Sequence, residues 1–365
     1  MNKRVVISGY YGFNNLGDEA VLYSMLQSLR RYIPGIEITV LSNDPPATAR
    51  EYGVAAVDRW NMRAVAGAVR RSRLLISGGG SLLQDVTGLR SLFYYLGVVW
   101  IARLLRRPVL YYAQGIGPVN TGLGRRLTGF ATRGVRAVTV RDDESARDLA
   151  AMGVGRVVEV AADPVLGLRP EEIDRAAGAE ILARNGIKPG RTVVGVSVRP
   201  LPGPAADWEN KLAGALDMLV RAGRTVVFVP MHRPADQIAS REIASLMEEP
   251  HVIIGEQLNV PQMIALTANL DLLIGMRLHA LIFAAVGGVP PLGIVYDPKV
   301  ERFLRRVGMV PAGTPEQIRA EDLTQRAEAY ISGREQLAAQ MSRRVEELRA
   351  AADRPAEIVR EILEV

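Results

Sequence analysis

Short runs rich in valine, isoleucine and leucine alternate with longer amphipathic segments along most of the chain, and no other feature restricts the fold as much. In the first half the runs fall at 5–8, 37–41, 74–77, 109–112, 137–140 and 157–160, with spacings suited to crossover helices between parallel strands. The second half repeats the habit at 192–198, 225–229, 251–254, 272–274 and 292–295. Between the halves, Pro164, Pro170, Pro189, Gly167, Gly186 and Gly190 crowd one stretch, which predicts a domain joint. A length of 365 residues also exceeds one ordinary core. The expectation is an α/β chain of two Rossmann-like domains, 1–168 and 169–340, followed by a helical tail at 341–365. Leu337, Met341, Val345 and Leu348 recur there at helical spacing, and Ile358, Val359, Ile362 and Leu363 continue an apolar face beyond Pro355.

With no cysteine, disulfides, thiolate metal sites and cysteine nucleophiles are excluded. No cluster of His, Asp or Glu has metal-ligand spacing, so neither a metal nor a cofactor is expected. The start of the chain shows no signal-peptide pattern, which predicts a cytoplasmic protein. A formal charge of +6 is compatible with nucleic acid, an anionic membrane or a multiply charged small substrate. Nucleic acid is disfavoured, because the arginines are dispersed in short pairs and aromatic residues make up only 5% of the chain.

In doubly wound sheets, ligands bind beyond the carboxyl ends of the strands. The loop after the first predicted strand, from Ser8 to Ala20, spaces its glycines as G-x2-G-x4-G and not as the dinucleotide-binding G-x-G-x-x-G. Asn14, Asn15 and Asp18 supply hydrogen-bonding groups suited to hydroxyls, although Asp18 is as well placed to cap the following helix. Two further glycine loops, Ser77-Gly78-Gly79-Gly80-Ser81 and Gln114-Gly115-Ile116-Gly117-Pro118, follow later strands. Together they predict a smooth floor for a sugar that includes Gly79 and Gln114. Arg141 sits at the same edge, either facing a ligand or paired with its acidic neighbours.

The second half concentrates cations. Arg277 and His279 open a helix after the run 272–274, where a helix amino terminus also favours an anion. Tyr296-Asp297-Pro298-Lys299 occupies the equivalent place one unit later, and Arg199 and His232 stand at two further strand ends. Five cationic or titratable residues are thus predicted along one edge.

This ordered set resembles the polysaccharide pyruvyl transferase family. The resemblance rests on Gly9-Tyr10-Tyr11-Gly12-Phe13-Asn14-Asn15-Leu16-Gly17-Asp18-Glu19-Ala20, Gly78-Gly79-Gly80, Gln114 to Pro118, Arg277-Leu278-His279-Ala280 and Tyr296-Asp297-Pro298-Lys299. It looks most like the bacterial branch that modifies secondary cell-wall polymers for surface-layer anchoring. The resemblance implies a GT-B-like fold, with two Rossmann-like domains facing across a cleft and a C-terminal helix closing back. It also implies phosphoenolpyruvate as donor, N-acetylmannosamine in a lipid-linked precursor as acceptor, and no obligatory metal. The family's donor-site arginine and histidine fall on Arg277 and His279, and its functional lysine on Lys299.

A compact, strongly cationic pocket suits a small dianion, so Arg277, Lys299, Arg199, His279 and His232 are assigned to the donor. His279 is to deliver a proton or stabilise the leaving phosphate, Lys299 to hold an anionic group, and Asp18 to act as base. Asn14, Asn15, Asp18, Gly79, Gln114 and Arg141 are assigned to the acceptor. The rival readings are a GT-B nucleotide-sugar glycosyltransferase or epimerase, and a carbohydrate-binding protein without catalysis. One further segment, 92–102, is apolar and followed by Arg103, Arg106 and Arg107. It is too short to span a bilayer and reads either as a buried crossover helix or, with Arg125 and Arg126, as a peripheral contact with the inner face of the membrane.

Overall fold

The computed structural model describes residues 3–86, 88–201 and 207–364. They form two compact units, Met1–Leu168 with Leu348–Val365, and Arg169–Glu347. Their sheets are parallel throughout.

In the first unit the strands are β1 (Arg4–Ser8), β2 (Glu37–Ser42), β3 (Ala55–Asp58), β4 (Leu74–Ser77), β5 (Gly80–Leu83), β6 (Val109–Ile116), β7 (Ala137–Val140) and β8 (Glu159–Val160). Their order is β3-β2-β1-β4-β6-β7-β8, with β5 added beside β6. Strand β4 is buried along its whole length and so is β6, as expected of strands covered by helices on both faces. The second unit holds β9 (Val193–Ser197), β10 (Thr225–Phe228), β11 (His251–Ile253), β12 (Leu272–Gly275) and β13 (Pro291–Gly293), in the order β11-β10-β9-β12-β13. In both sheets the order reverses beside the first strand, between β1 and β4 and between β9 and β12. These switch points are where a doubly wound sheet leaves an open crevice.

Two strands, β3 and β5, lie outside the apolar runs, and β5 alters the glycine loops. Only Gly78 and Gly79 separate β4 from β5, and β5 pairs with the upper part of β6 through Gly80↔Gln114 and Leu83↔Ile116. Gln114 therefore lies inside a strand and is fully buried, where the sequence predicts a loop. The extension of β6 requires a bulge against β7 between Tyr111 and Gln114. Ala113 adopts φ of 43° there, and Thr139 Oγ1 fills the gap by accepting from Ala113 N at 2.7 Å and donating to Tyr111 O at 2.8 Å.

The last helix runs from Arg334 to Glu364 and passes through Pro355. Its residues from Leu348 onward belong to the first unit, where buried Asp353 accepts from Ser28 Oγ at 2.9 Å and Tyr32 Oη at 3.3 Å. Arg31 Nη1 stands 3.5 Å from the same carboxylate. The helix Leu16–Tyr32 supplies all three partners. Among the described residues, no helix is long and apolar enough to cross a membrane.

Removing the buried Asp353 carboxylate takes an acceptor from Ser28 and Tyr32 and a counter-charge from the partly exposed Arg31, at a cost of about 3 kcal/mol. Asp353→Ala should therefore lower the calorimetric transition of the first unit by roughly 6–12 °C. Ser28→Ala, which removes one neutral donor, should shift it by less than half as much. An unmoved transition in Asp353→Ala would show that this carboxylate does not fasten the helix.

Candidate active site

At the switch point of the second sheet, neighbouring strand ends deliver one cluster. Arg199 follows β9, His232 and Asp236 follow β10, Arg277 and His279 follow β12, and Tyr296, Asp297 and Lys299 follow β13. Asp236 is fully buried and organises it. Its carboxylate accepts from Met231 N at 3.2 Å, His232 N at 2.9 Å and Arg277 Nε at 2.8 Å, while Arg277 Nη2 bonds the second oxygen. The pairing is bidentate, so it fixes the plane of the guanidinium as well as its position. With the Nε and Nη2 edge occupied, the Nη1 donors remain for a ligand.

The other cations are arranged around Tyr296. The Arg199 guanidinium carbon lies 4.6 Å from the ring centroid and Lys299 Nζ lies 5.6 Å from it. Lys299 Nζ is also 3.3 Å from Asp297, whose other oxygen caps the helix Pro298–Val307 by accepting from Lys299 N at 2.9 Å. His232 is held below the ordinary histidine range, first by burial and then by the charges of Arg277 and Arg199, with Asp236 acting in the opposite sense. His279 occupies the first turn of the helix Leu278–Val286, half-buried with its Nε2 atom enclosed. Arg277 is the N-cap of that helix, and its side chain does not cap the backbone. The amino terminus of this helix, through its dipole, favours an anion.

The five residues predicted for this edge thus stand at the expected strand ends, but the site is less cationic than the sequence implies. Arg199, Arg277 and Lys299 are set against Asp236 and Asp297. Sequence reasoning missed Asp236, which lies 41 residues from Arg277, and gave Tyr296 no role. The only signal was an acid in the loop and helix start following the run 225–229. A cavity at the amino-terminal edge of the same sheet, lined by Thr192, Asp271 and residues 331–336, contains none of the predicted residues. Its Asp271 is bonded to Arg334 and Val193 N, as an internal tie would be.

The corresponding edge of the first unit has a different surface from the predicted glycine floor. Gly79 is buried, and a Cβ there would come within 2.7 Å of Val21 and 3.1 Å of Pro164. Cβ atoms on Gly9 and Gly78 would strike the Tyr11 side chain at 2.2 and 2.4 Å. These glycines make room for the protein's own side chains, because Tyr11 is completely buried between the loops. Gln114 Oε1 receives Ser77 Oγ at 3.4 Å, while its Nε2 finds no hydrogen-bond partner among the described residues. Arg141 is only 11% exposed, donates to Ser81 Oγ at 3.0 Å, and lies 3.5 Å from Asp142 and 3.9 Å from Asp163.

Asn15, not Asp18, caps the helix Leu16–Tyr32 by accepting from Gly17 N at 3.2 Å. Its amide nitrogen then donates to Asp18 at 2.5 Å. Glu19, unassigned from sequence, clamps the loop by accepting from Gly12 N at 2.7 Å and from Tyr52 Oη at 2.8 Å. Asn14 is exposed with φ of 58°.

What the edge does expose is aromatic. Arg59 is buried after β3, donating to Gly9 O at 2.9 Å and Tyr95 Oη at 3.3 Å, with the Tyr94 ring centroid 4.2 Å from its guanidinium carbon. Phe13 and Trp60 complete the surround at 5.1 Å each, and Tyr10 stacks on Phe13 at 4.1 Å. Tyr10 and Trp60 remain open to solvent. The Tyr10 hydroxyl is pushed up by burial and then by Asp18, which places that carboxylate's field on the aromatic surface.

A family model for polysaccharide pyruvyl transferases matches residues 15–298. The match contains Asp18, Arg277 and His279 and stops just before Lys299. No curated protein matches the sequence at a significant level. Among solved structures, Anabaena HepE in complex with UDP-glucose is 14% identical, with 99% of each chain covered and a TM-score of 0.65. A putative UDP-N-acetylglucosamine 2-epimerase from Listeria monocytogenes is 13% identical, with 94% of this chain and 91% of that chain covered and a TM-score of 0.67. Escherichia coli ADP-heptose heptosyltransferase II is 14% identical, with 91% and 99% covered and a TM-score of 0.55. At these identities the likeness speaks for fold alone, and the fold is GT-B-like. Matched by the family model over most of its length, this chain belongs to the polysaccharide pyruvyl transferase family.

Proposed function

We propose that the protein transfers the pyruvyl group of phosphoenolpyruvate to two hydroxyls of a sugar, N-acetylmannosamine in a lipid-linked precursor of a secondary cell-wall polymer for surface-layer anchoring, and releases phosphate. Family membership supports the transferase reading. The observation that carries the donor is the Arg277 guanidinium, oriented by Asp236, at the same strand-end edge as Arg199, Lys299 and a helix amino terminus. A small molecule bearing both a phosphate and a carboxylate suits such donors.

The chemistry follows from the donor. A proton added to the methylene carbon leaves positive charge at the adjacent carbon, where the first sugar hydroxyl attacks and gives up its proton. The bond to the phosphate oxygen then breaks, and the second hydroxyl closes the ketal with loss of its own proton. Arg277 and Lys299 hold the anionic groups, and His279 delivers the proton or steadies the departing phosphate. Asp18 is the base for the acceptor hydroxyl. The exposed faces of Tyr10 and Trp60 are added to Asn14 and Asn15 as acceptor contacts, since sugars rest on aromatic surfaces through their C–H faces.

Phosphoenolpyruvate should raise the melting temperature, and UDP-glucose should not. With a synthetic lipid-linked acceptor, phosphate release should accompany a product heavier by one pyruvylidene group. Stabilisation by the nucleotide sugar alone would favour the donor class bound by HepE and set this proposal aside.

Arg277→Ala should lower kcat/KM on the order of a hundredfold while the protein stays folded. Asp236→Asn should raise the KM for phosphoenolpyruvate with a smaller change in kcat, since it frees the guanidinium without removing it. The same substitution has a sign for His232. Asp236 is the charge that favours its protonated form, so the variant should titrate at lower pH than the wild type in a proton NMR series. An unchanged His232 titration would show that the carboxylate does not govern this cluster.

A further inference from the structure

The helices Leu89–Leu104 and Gly122–Arg133 pack together in the first unit, with Trp100 and Phe130 ring centroids 5.8 Å apart. Leu92, Tyr95, Leu96, Val98, Val99 and Ala102 face the core, as a crossover helix requires. The opposite side is also apolar. Phe93, Gly97, Trp100 and Leu104 succeed one another at intervals of four, three and four, which makes one stripe. Phe93 is 44%, Trp100 41% and Leu104 82% exposed, and a Cβ on Gly97 would meet nothing within 4 Å. On the second helix, Leu123 and Phe130 are 55% and 52% exposed. Large apolar side chains this close together are not scattered surface residues.

Charge identifies what the face suits. From Val86 to Arg141 the chain contains nine arginines and no aspartate, glutamate or lysine. The whole chain carries only +6, so the remainder carries a net −3. Arg90, Arg103, Arg106, Arg126, Arg133 and Arg136 are exposed. The acid preceding this stretch, Asp85, is occupied by Asn120 N, Thr121 N and Thr121 Oγ1 at 2.7–2.8 Å, where it braces the start of the second helix.

We propose that this two-helix face docks on an anionic lipid bilayer. Trp100, Phe93, Phe130 and Leu104 enter the headgroup and acyl boundary, while the surrounding arginines meet the lipid phosphates. A second copy of the chain fits poorly, because a two-fold contact would press one acid-free arginine stretch against another. A nucleic acid would satisfy the arginines but leave Leu104 and Leu123 exposed. The face is independent of the donor and acceptor residues, so the proposal stands whether or not the reaction assigned above is correct.

The test is flotation of the full chain with vesicles of mixed phosphatidylglycerol and phosphatidylcholine, against phosphatidylcholine alone. Binding is expected to the anionic vesicles only and to fall as salt rises. The triple variant Arg90→Glu, Arg106→Glu, Arg126→Glu should bind on the order of a hundredfold more weakly. Phe93→Asn with Leu104→Asn keeps every charge and should bind at least about tenfold more weakly. Both variants should keep the wild-type melting temperature and activity on a water-soluble acceptor. The proposal is overturned by absence of flotation at low salt, by equal binding to neutral vesicles, or by loss through the arginines with no effect of the apolar pair. Retention by an oligonucleotide in place of vesicles, or self-association abolished by the apolar pair, would assign the face to those partners instead.

Discussion

A parallel sheet cannot turn back on itself by a hairpin, so every strand must be followed by a crossover and every carboxyl end falls on one edge. That constraint organises both units. Residues separated by up to about a hundred positions, Arg199 and Lys299 among them, are brought to one edge without any local sequence relation. The reversal of strand order beside β9 then opens the crevice in which Arg277 and Arg199 stand, because helices leave in opposite directions on its two sides. The same reversal beside β1 sets the glycine loops, Tyr11 and Asp18 at the switch point of the first sheet.

Most strands were legible because burial on both faces writes itself as a continuous apolar run. The two that escaped show the limit of that signal. Ala55–Asp58 is an edge strand whose residues are half-buried or exposed, and the apolar run that enters it, Val54-Ala55-Ala56-Val57, is half alanine and weaker than the others. Gly80–Leu83 begins with glycine and serine and exists because β6 outruns β4, a matter of pairing that its own four residues do not encode. The Thr139 hydroxyl that stabilises the bulge of β6 is likewise visible only once the partner strand is in place.

The candidate site was legible to the same extent and for the same reason. Strand-end cations could be read as lying on one edge, since topology places them there. Their partners could not, because Asp236 reaches Arg277 across β9 and leaves no periodic trace. The glycine loops were misjudged on a related point. Glycine records that a backbone is closely approached but not by what, and here the approaching group is Tyr11, Val21 or Pro164 in place of a sugar. Arg59 was equally hidden, since Phe13, Trp60, Tyr94 and Tyr95 meet around it from three separate segments.

The burial of Asp236 beneath Arg277 has an energetic logic that a purely cationic pocket would lack. A mostly buried guanidinium with another arginine nearby is costly when nothing fills the site, and the cost would fall on the unliganded protein. A fully enclosed carboxylate offsets it, and two backbone amides, those of Met231 and His232, hold that carboxylate in turn. The arginine is then fixed in one orientation before an anion arrives, so less conformational freedom remains to be lost on binding. The same carboxylate reduces the field that a dianion would meet. Attraction is exchanged for preorganisation, and the Nη1 donors, Lys299, Arg199 and the helix amino terminus share what charge recognition remains. Because the acid has no surface exposure, this balance is insulated from salt, unlike the exposed arginines of the two-helix face.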